Sequence, residues 1–175
     1  MRRTAVAERV RTRTRETEAQ IGNPYEMAYR HREQQAERQR TGQIVIKPSD
    51  RPYFMSRQGR LRFYLCPLAY PNTALEHWRV FTHEIRTKSG RHRHQGGLVI
   101  YVLDGIGYSI VEGERIEWKK GDLLLLPMKP GGVEHQHFNL DPEKPATWVA
   151  FVPIVLTEHV ASTLQQTEQS PEYKP

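Results

Sequence analysis

Cysteine is almost absent: Cys66 stands alone in 175 residues. That excludes an internal disulfide and any cysteine-based zinc cluster. It suits a reducing, cytoplasmic setting. Long apolar runs are absent too, and none approaches the roughly 18 residues that a membrane helix needs. The opening Met1-Arg2-Arg3 is basic, but no apolar stretch follows, so no secretory signal is expected. Hydrophobic residues make up 37% and mean hydropathy is -0.72. The whole chain is therefore too polar for one uniform core. No internal repeat is present, and between Gly90 and Val155 no stretch has room for a long helix.

Positive charge is in excess, with a net +6 and a pI near 9.6. Its distribution argues against nucleic acid. Residues 1–41 hold 10 Arg and 6 Glu, so +4 of the +6 sits there. No nucleic-acid-binding motif follows this basic arm.

The chain divides by texture into a basic arm and helix (1–42), a β-rich domain (43–156) and a tail (157–175). Residues 1–22 have too few apolar side chains to fold alone. Asn23-Pro24-Tyr25-Glu26 reads as a helix start: an Asn cap, a Pro at the first position, and Glu26 three residues after the cap. The helix runs over 24–40 without a breaker, and Gly42 sits where it should stop. Its apolar face is thin, which suits a surface or another subunit.

From Gln43 onward, short β-rich runs alternate with turn residues, the pattern of a sandwich or barrel. Strands are expected at 44–46, 62–65, 79–84, 98–103, 107–111, 115–118, 123–126, 133–138 and 147–151. Asp104-Gly105, Glu112-Gly113 and Lys120-Gly121-Asp122 mark turns. By alternation, Ile100, Val102, Leu123, Leu125 and Val149 should face the core. The tail has room for a short helix over 158–165 and reads as disordered after Ser170-Pro171.

The informative residues are histidines. Four of the eight form two His-x-His pairs, His92-Arg93-His94 and His135-Gln136-His137. On a strand, residues i and i+2 share a face with Cα atoms roughly 6.6 Å apart. Two imidazoles at that spacing can converge on one metal, and a third ligand must come from another strand. About four strand-and-turn units separate the pairs, enough chain to bring His135 opposite the first pair. A lone histidine is more often hydrogen bonded than ligating, so the frame around the pairs matters.

That frame resembles the two sequence motifs of the cupin superfamily. His92, His94 and Gly105 match the first motif; Gly121, Pro127, His135 and Asn139 match the second, with a slightly longer loop. The resemblance covers residues 80–155. It implies an all-β fold, a cupin jelly-roll β-barrel, here with an N-terminal helical extension. The family's glutamate ligand should fall at Leu98 or Val99, and both are aliphatic. The site therefore resembles three-histidine cupins, which implies His92, His94 and His135 as the metal ligands.

The likeness extends to enzymes of the gentisate and salicylate 1,2-dioxygenase type. Val102-Leu103-Asp104-Gly105, Trp118-Lys119-Lys120-Gly121-Asp122 and His135-Gln136-His137-Phe138-Asn139 carry it. Those enzymes hold two cupin domains in a chain about twice this length, and this chain has one. The implied activity is a nonheme Fe(II) dioxygenase. It would use O2 to cleave a carbon–carbon bond in a chelating small molecule, foremost a hydroxylated aromatic acid. Zn, Mn or Ni on the same histidines would imply a lyase or isomerase. A cupin that binds a small acid without turnover is the third reading.

His137 shares a strand face with His135 and is the candidate catalytic acid–base group. Asn139 should orient the loop, and Arg93 should face away from the metal in an ion pair. Arg62, Arg79 and His83 can reach an acidic substrate, since the Arg fork pairs with carboxylates. Tyr101 and Trp148 are candidates for an aromatic substrate wall, although core packing is the simpler reading of each. A homodimer or higher even oligomer is expected, because cupin barrels often pair and the polar helix has little core of its own.

Overall fold

Asn23 and Pro24 open the helix in the way the sequence predicts. The computed structural model describes residues 22–95, 97–160 and 164–175, with the backbone alone at 159–160. The predicted frayed arm at 1–21 therefore lies outside the described residues. The chain separates into two units, residues 1–37 and 38–175. Helix α1 spans Pro24–Thr41. Asn23 Oδ1 accepts the Tyr25 N–H at 3.0 Å, satisfying one of the unpaired donors at the helix start. At the other end, the Gly42 N–H reaches the Arg38 carbonyl at 2.7 Å. No side chain of α1 is buried. No helix among the described residues is long and apolar enough to cross a membrane.

Eleven strands follow among the described residues: β1 (Phe54–Ser56), β2 (Gly59–Leu65), β3 (Trp78–Ile85), β4 (Arg91–His94), β5 (Leu98–Asp104), β6 (Ile106–Val111), β7 (Glu114–Lys119), β8 (Leu123–Leu126), β9 (Val133–Asn139), β10 (Ala146–Pro153) and β11 (Leu164–Glu168). They form two antiparallel sheets, ordered β1-β2-β3-β10-β5-β8 and β11-β4-β9-β6-β7. This is the expected jelly-roll barrel. The β6–β7 turn shows how local sequence sets it. Glu112 and Gly113 both take positive φ, 52° and 89°. Such a two-residue turn matches the right-handed twist of the strands it joins.

The core lies between the sheets and contains Ile85, Leu98, Ile100, Val102, Leu124, Leu126, Val133 and Val152. Ile100 and Val102 are buried as alternation predicts, but Leu123 and Leu125 are 57% and 66% exposed. A run of four leucines has no alternation of its own. The register decides its phase: Leu124 pairs with Ile100 and Leu126 with Leu98. Val149 likewise faces outward, because it pairs with Tyr101 while its neighbour Trp148 points in.

Two further expectations change. Residues 44–46 do not form a strand; only Gln43 makes an isolated bridge, to Thr73. The tail is ordered by tertiary pairing. Val155–Val160 forms a π-helical segment, 161–163 lie outside the described residues, and β11 pairs antiparallel with β4. Leu164-Gln165-Gln166-Thr167-Glu168 has helical propensity, but the open edge of β4 takes it as a strand. Beyond it, Ser170 is 3% exposed and its N–H donates to the Arg57 carbonyl at 2.8 Å. Ser170 is therefore held against the β1–β2 hairpin, and the chain makes a turn after it, with the Tyr173 N–H donating to the Ser170 carbonyl at 3.0 Å.

Candidate metal centre

The site grows from the pairing of β4 with β9. In their antiparallel ladder His92 lies directly opposite His135, and His94 opposite Val133. Period-two alternation turns His92 and His94 to the same face, so three imidazoles from adjacent strands meet. One nitrogen of each lies within 4.8 Å of the others. Ring centroids are 5.0 Å apart for His92–His94, 4.2 Å for His92–His135 and 4.8 Å for His94–His135.

Backbone carbonyls orient two of these rings. His94 Nδ1–H donates to the Gln95 carbonyl at 2.5 Å and His135 Nδ1–H to the Val133 carbonyl at 3.3 Å. That fixes the tautomer and leaves each Nε2 lone pair available to a metal. His92 Nδ1 is buried without a partner. Burial holds all three rings neutral. It lowers His94, puts His92 well below its ordinary value, and pushes His135 down to about 3. Neutral imidazole is the ligating form. The donor set fits a divalent transition metal with open coordination positions.

His137, also predicted, continues the row on β9. Its ring lies 5.3 Å from His135 and 5.1 Å from Trp148. Burial lowers its pKa well below the usual histidine range. Ser109 on β6 pairs with His137, and its hydroxyl lies 2.7 Å from His137 Nδ1. Trp118 Nε1 donates to the same hydroxyl at 2.9 Å. Gly107 makes room for that indole: a Cβ there would sit 2.2 Å from the Trp118 ring.

The structure brings some predicted substrate residues to this interior and leaves others outside. His83 and Trp148 stack edge-on at 4.9 Å, and Phe81 stands 5.9 Å from Trp148. His83 Nε2 and Trp148 Nε1 are both buried without a partner. Burial pushes the His83 pKa down to about 3. A Cβ at Gly59 would sit 2.6 Å from His83 Nε2, so only glycine fits there. Arg79 alternates with Phe81 and His83 on β3 and lies close enough to oppose a charge on His94. Its guanidinium is ion-paired with Glu158.

Arg62 and Tyr101 are placed away from the histidines. Arg62 pairs with Thr82 on the outer face of the six-stranded sheet and lies 3.9 Å over the Tyr53 ring. Tyr101 faces outward too and is 42% exposed. Both lie one step out of phase with the buried residues of their strands.

Asn139 ties down the loops behind β9. Its Nδ2 reaches the carbonyls of Arg86, Asp141 and Lys144 at 2.9, 2.7 and 2.7 Å. Arg93 points away from the cluster, 3.2 Å from Glu112. Glu112 also accepts the Glu134 N–H at 2.6 Å and pairs with Lys129, which anchors the approach to β9. Lys129 first, then that N–H, hold the Glu112 carboxyl down at about 2.

Sequence reasoning missed Ser109, Trp118 and Phe81. The signal available for the first two was the spacing Gly107-x-Ser109, a glycine bared for a neighbouring ring two residues from a polar residue on the same face. Gln136 and Ser89 were missed as well. Gln136 donates to the Ser89 carbonyl at 2.8 Å, and the Ser89 hydroxyl accepts the His137 N–H at 2.9 Å. Both residues are almost fully buried behind β9.

Comparison with known proteins agrees with this architecture. Residues 79–152 match the family described as "Cupin domain". The polyketide cyclase RemF from Streptomyces resistomycificus is similar in structure, with TM-score 0.54 and 15% identity over 74% of this chain and 89% of that one. Streptomyces PAC13, solved with uridine, gives TM-score 0.53 and 12% identity over 74% of this chain and 95% of that one. Pac13 is described as a nucleoside dehydratase. A search among curated protein sequences found no match. The domain match and the structural likenesses support the cupin superfamily for the barrel, and the fold is the cupin fold.

Proposed function

We propose that this chain is a single-barrel nonheme Fe(II) dioxygenase that cleaves a carbon–carbon bond in a small chelating molecule, foremost a hydroxylated aromatic acid. The observation that supports this reading is the donor set: three neutral imidazoles and, among the described residues, no carboxylate grouped with them. Leu98, where a carboxylate ligand would stand, is a buried aliphatic. When bound, the metal supplies a template for substrate and dioxygen and a path for electrons between them. An all-imidazole site leaves the dication's charge uncompensated, which favours a substrate that brings negative charge itself. His92, His94 and His135 would hold the metal. Trp148, Phe81 and the apolar core would form a dry wall around the reacting group. Arg79 beside His94 would attract a carboxylate, and His137 would meet the substrate as a proton donor or acceptor.

The test is metal analysis of protein purified under argon, with oxygen uptake on a panel of hydroxybenzoates. Near-stoichiometric iron with uptake on a panel member supports the reading. Iron without uptake directs the search to other chelating substrates, with β-dicarbonyl enolates next. Zinc, manganese or nickel with oxygen-independent turnover replaces it with a lyase or isomerase. That second reading is favoured by the buried His137 imidazole, 5.3 Å from His135, which could move a proton without dioxygen. No metal after reconstitution leaves a binding module. The single free cysteine, Cys66, is compatible with a cytoplasmic location.

A further inference from the structure

Ser109 and Trp118 stand behind His137 without touching the three-histidine cluster. Ser109, His137 and Trp118 are 0%, 2% and 4% exposed, so no bulk solvent completes their hydrogen bonding. The directions of the bonds can be deduced. An indole nitrogen only donates, so the Ser109 hydroxyl accepts from Trp118. Among the described residues, the hydroxyl proton then has one acceptor, His137 Nδ1 at 2.7 Å. The opposite arrangement would strand that proton in a dry interior. Nδ1 is therefore bare, and Nε2 carries the ring proton. Nε2 has no hydrogen-bond partner among the described residues, and the ring stands next to His135.

We propose that Ser109, held by Trp118, is a positioning residue that locks His137 as an Nε2–H donor, and that the ligand taken at the three-histidine site presents an oxygen acceptor to it. The acceptor class is carboxylate, phenolate or enolate oxygen. This deepens the proposed function and rests on it for the location of the ligand. The tautomer itself rests only on the chain.

Long-range nitrogen–proton correlation spectra of metal-free protein report the tautomer directly, with the His137→Gln variant providing the assignment. An Nε2–H signal is expected, and an Nδ1–H signal overturns the proposal. In Ser109→Ala the tautomers should mix. Salicylate, used as the probe, should bind the zinc-loaded variant about tenfold more weakly, the scale of one hydrogen bond to a charged group. Zinc affinity should change less than about threefold, because the ligands keep their own backbone tethers. A fall in thermal stability with unchanged salicylate affinity would make Ser109 merely structural and overturn its positioning role. Trp118→Phe keeps a ring in the gap and should shift the tautomer in the same direction, so a misfolded Ser109→Ala does not rescue the idea. Wild-type protein that takes zinc but not salicylate overturns the acceptor class. Wild-type protein that takes no zinc overturns the metal reading, and the tautomer then stands or falls alone.

Discussion

The two sheets enclose one interior and give it different chemistry. The five-stranded sheet contributes His92, His94, His135, His137 and Ser109, most of them tied to a backbone carbonyl or to another side chain. The six-stranded sheet contributes Leu61, Ile85, Ile100, Val102, Leu124 and Val152. Its exceptions, His83 and Trp148, each keep a buried nitrogen without a partner. Polar groups survive in a dry interior when fixed neighbours satisfy them. One sheet supplies those neighbours, and the other supplies the wall that keeps water out.

The strongest test of this division is to remove one imidazole from the polar sheet. His135→Ala should lower metal affinity more than about 100-fold, beyond the 10–100-fold that losing a mere supporting group costs. Calorimetric titration with zinc reads it. Retained tight binding would mean that the two sheets do not divide the work this way.

The apolar sheet should respond in stability instead. Leu124→Ala should cost about 2–4 kcal/mol, as a buried leucine does. Leu123→Ala, one residue away and facing outward, should cost less than about 0.5 kcal/mol. Urea unfolding measures both, and equal costs would contradict the observed phase of β8.

That phase also shows what the sequence could disclose. The paired histidines were legible because His-x-His on a strand names its own face, and the turns were legible because Asp-Gly and Glu-Gly mark themselves. Leu123–Leu126 was legible as a strand but not in phase, since four identical residues carry no alternation. The tail was not legible at all. Leu164–Glu168 becomes a strand only because β4 offers an open edge some seventy residues earlier in the chain. Ser109 had no signature either, because a single serine on a strand acquires meaning only from the partners the fold brings to it.

A third test uses the polar exception on the apolar sheet. His83 titrates near 6.5 when unfolded and is pushed down to about 3 in the folded chain. Between those values the unfolded chain binds the extra proton, so stability of the metal-free protein falls as pH falls. At pH 5 this share is about 2 kcal/mol. His83→Asn should remove it and leave the share of the five-stranded sheet's histidines. Urea midpoints at pH 7 and pH 5 decide the matter, and an unchanged difference would clear His83 of any part.

The smallest effect belongs to the outer side of the polar sheet. Arg93 alternates with two candidate ligands but pairs with Glu112 near the surface, where an ion pair contributes at most about 1 kcal/mol. Arg93→Gln should change zinc affinity less than about threefold. A larger change would show that the strand's outer contacts set the geometry of its inner ones.

The pairing of β11 with β4 has a consequence for how the protein is made. Synthesis runs from the N-terminus, and Leu164 follows its ladder partner His94 by 70 positions. The strand that carries two of the three histidines therefore leaves the ribosome with one edge bare. It waits for most of the domain to be translated before that edge is covered. Until then the exposed backbone is open to wrong pairing.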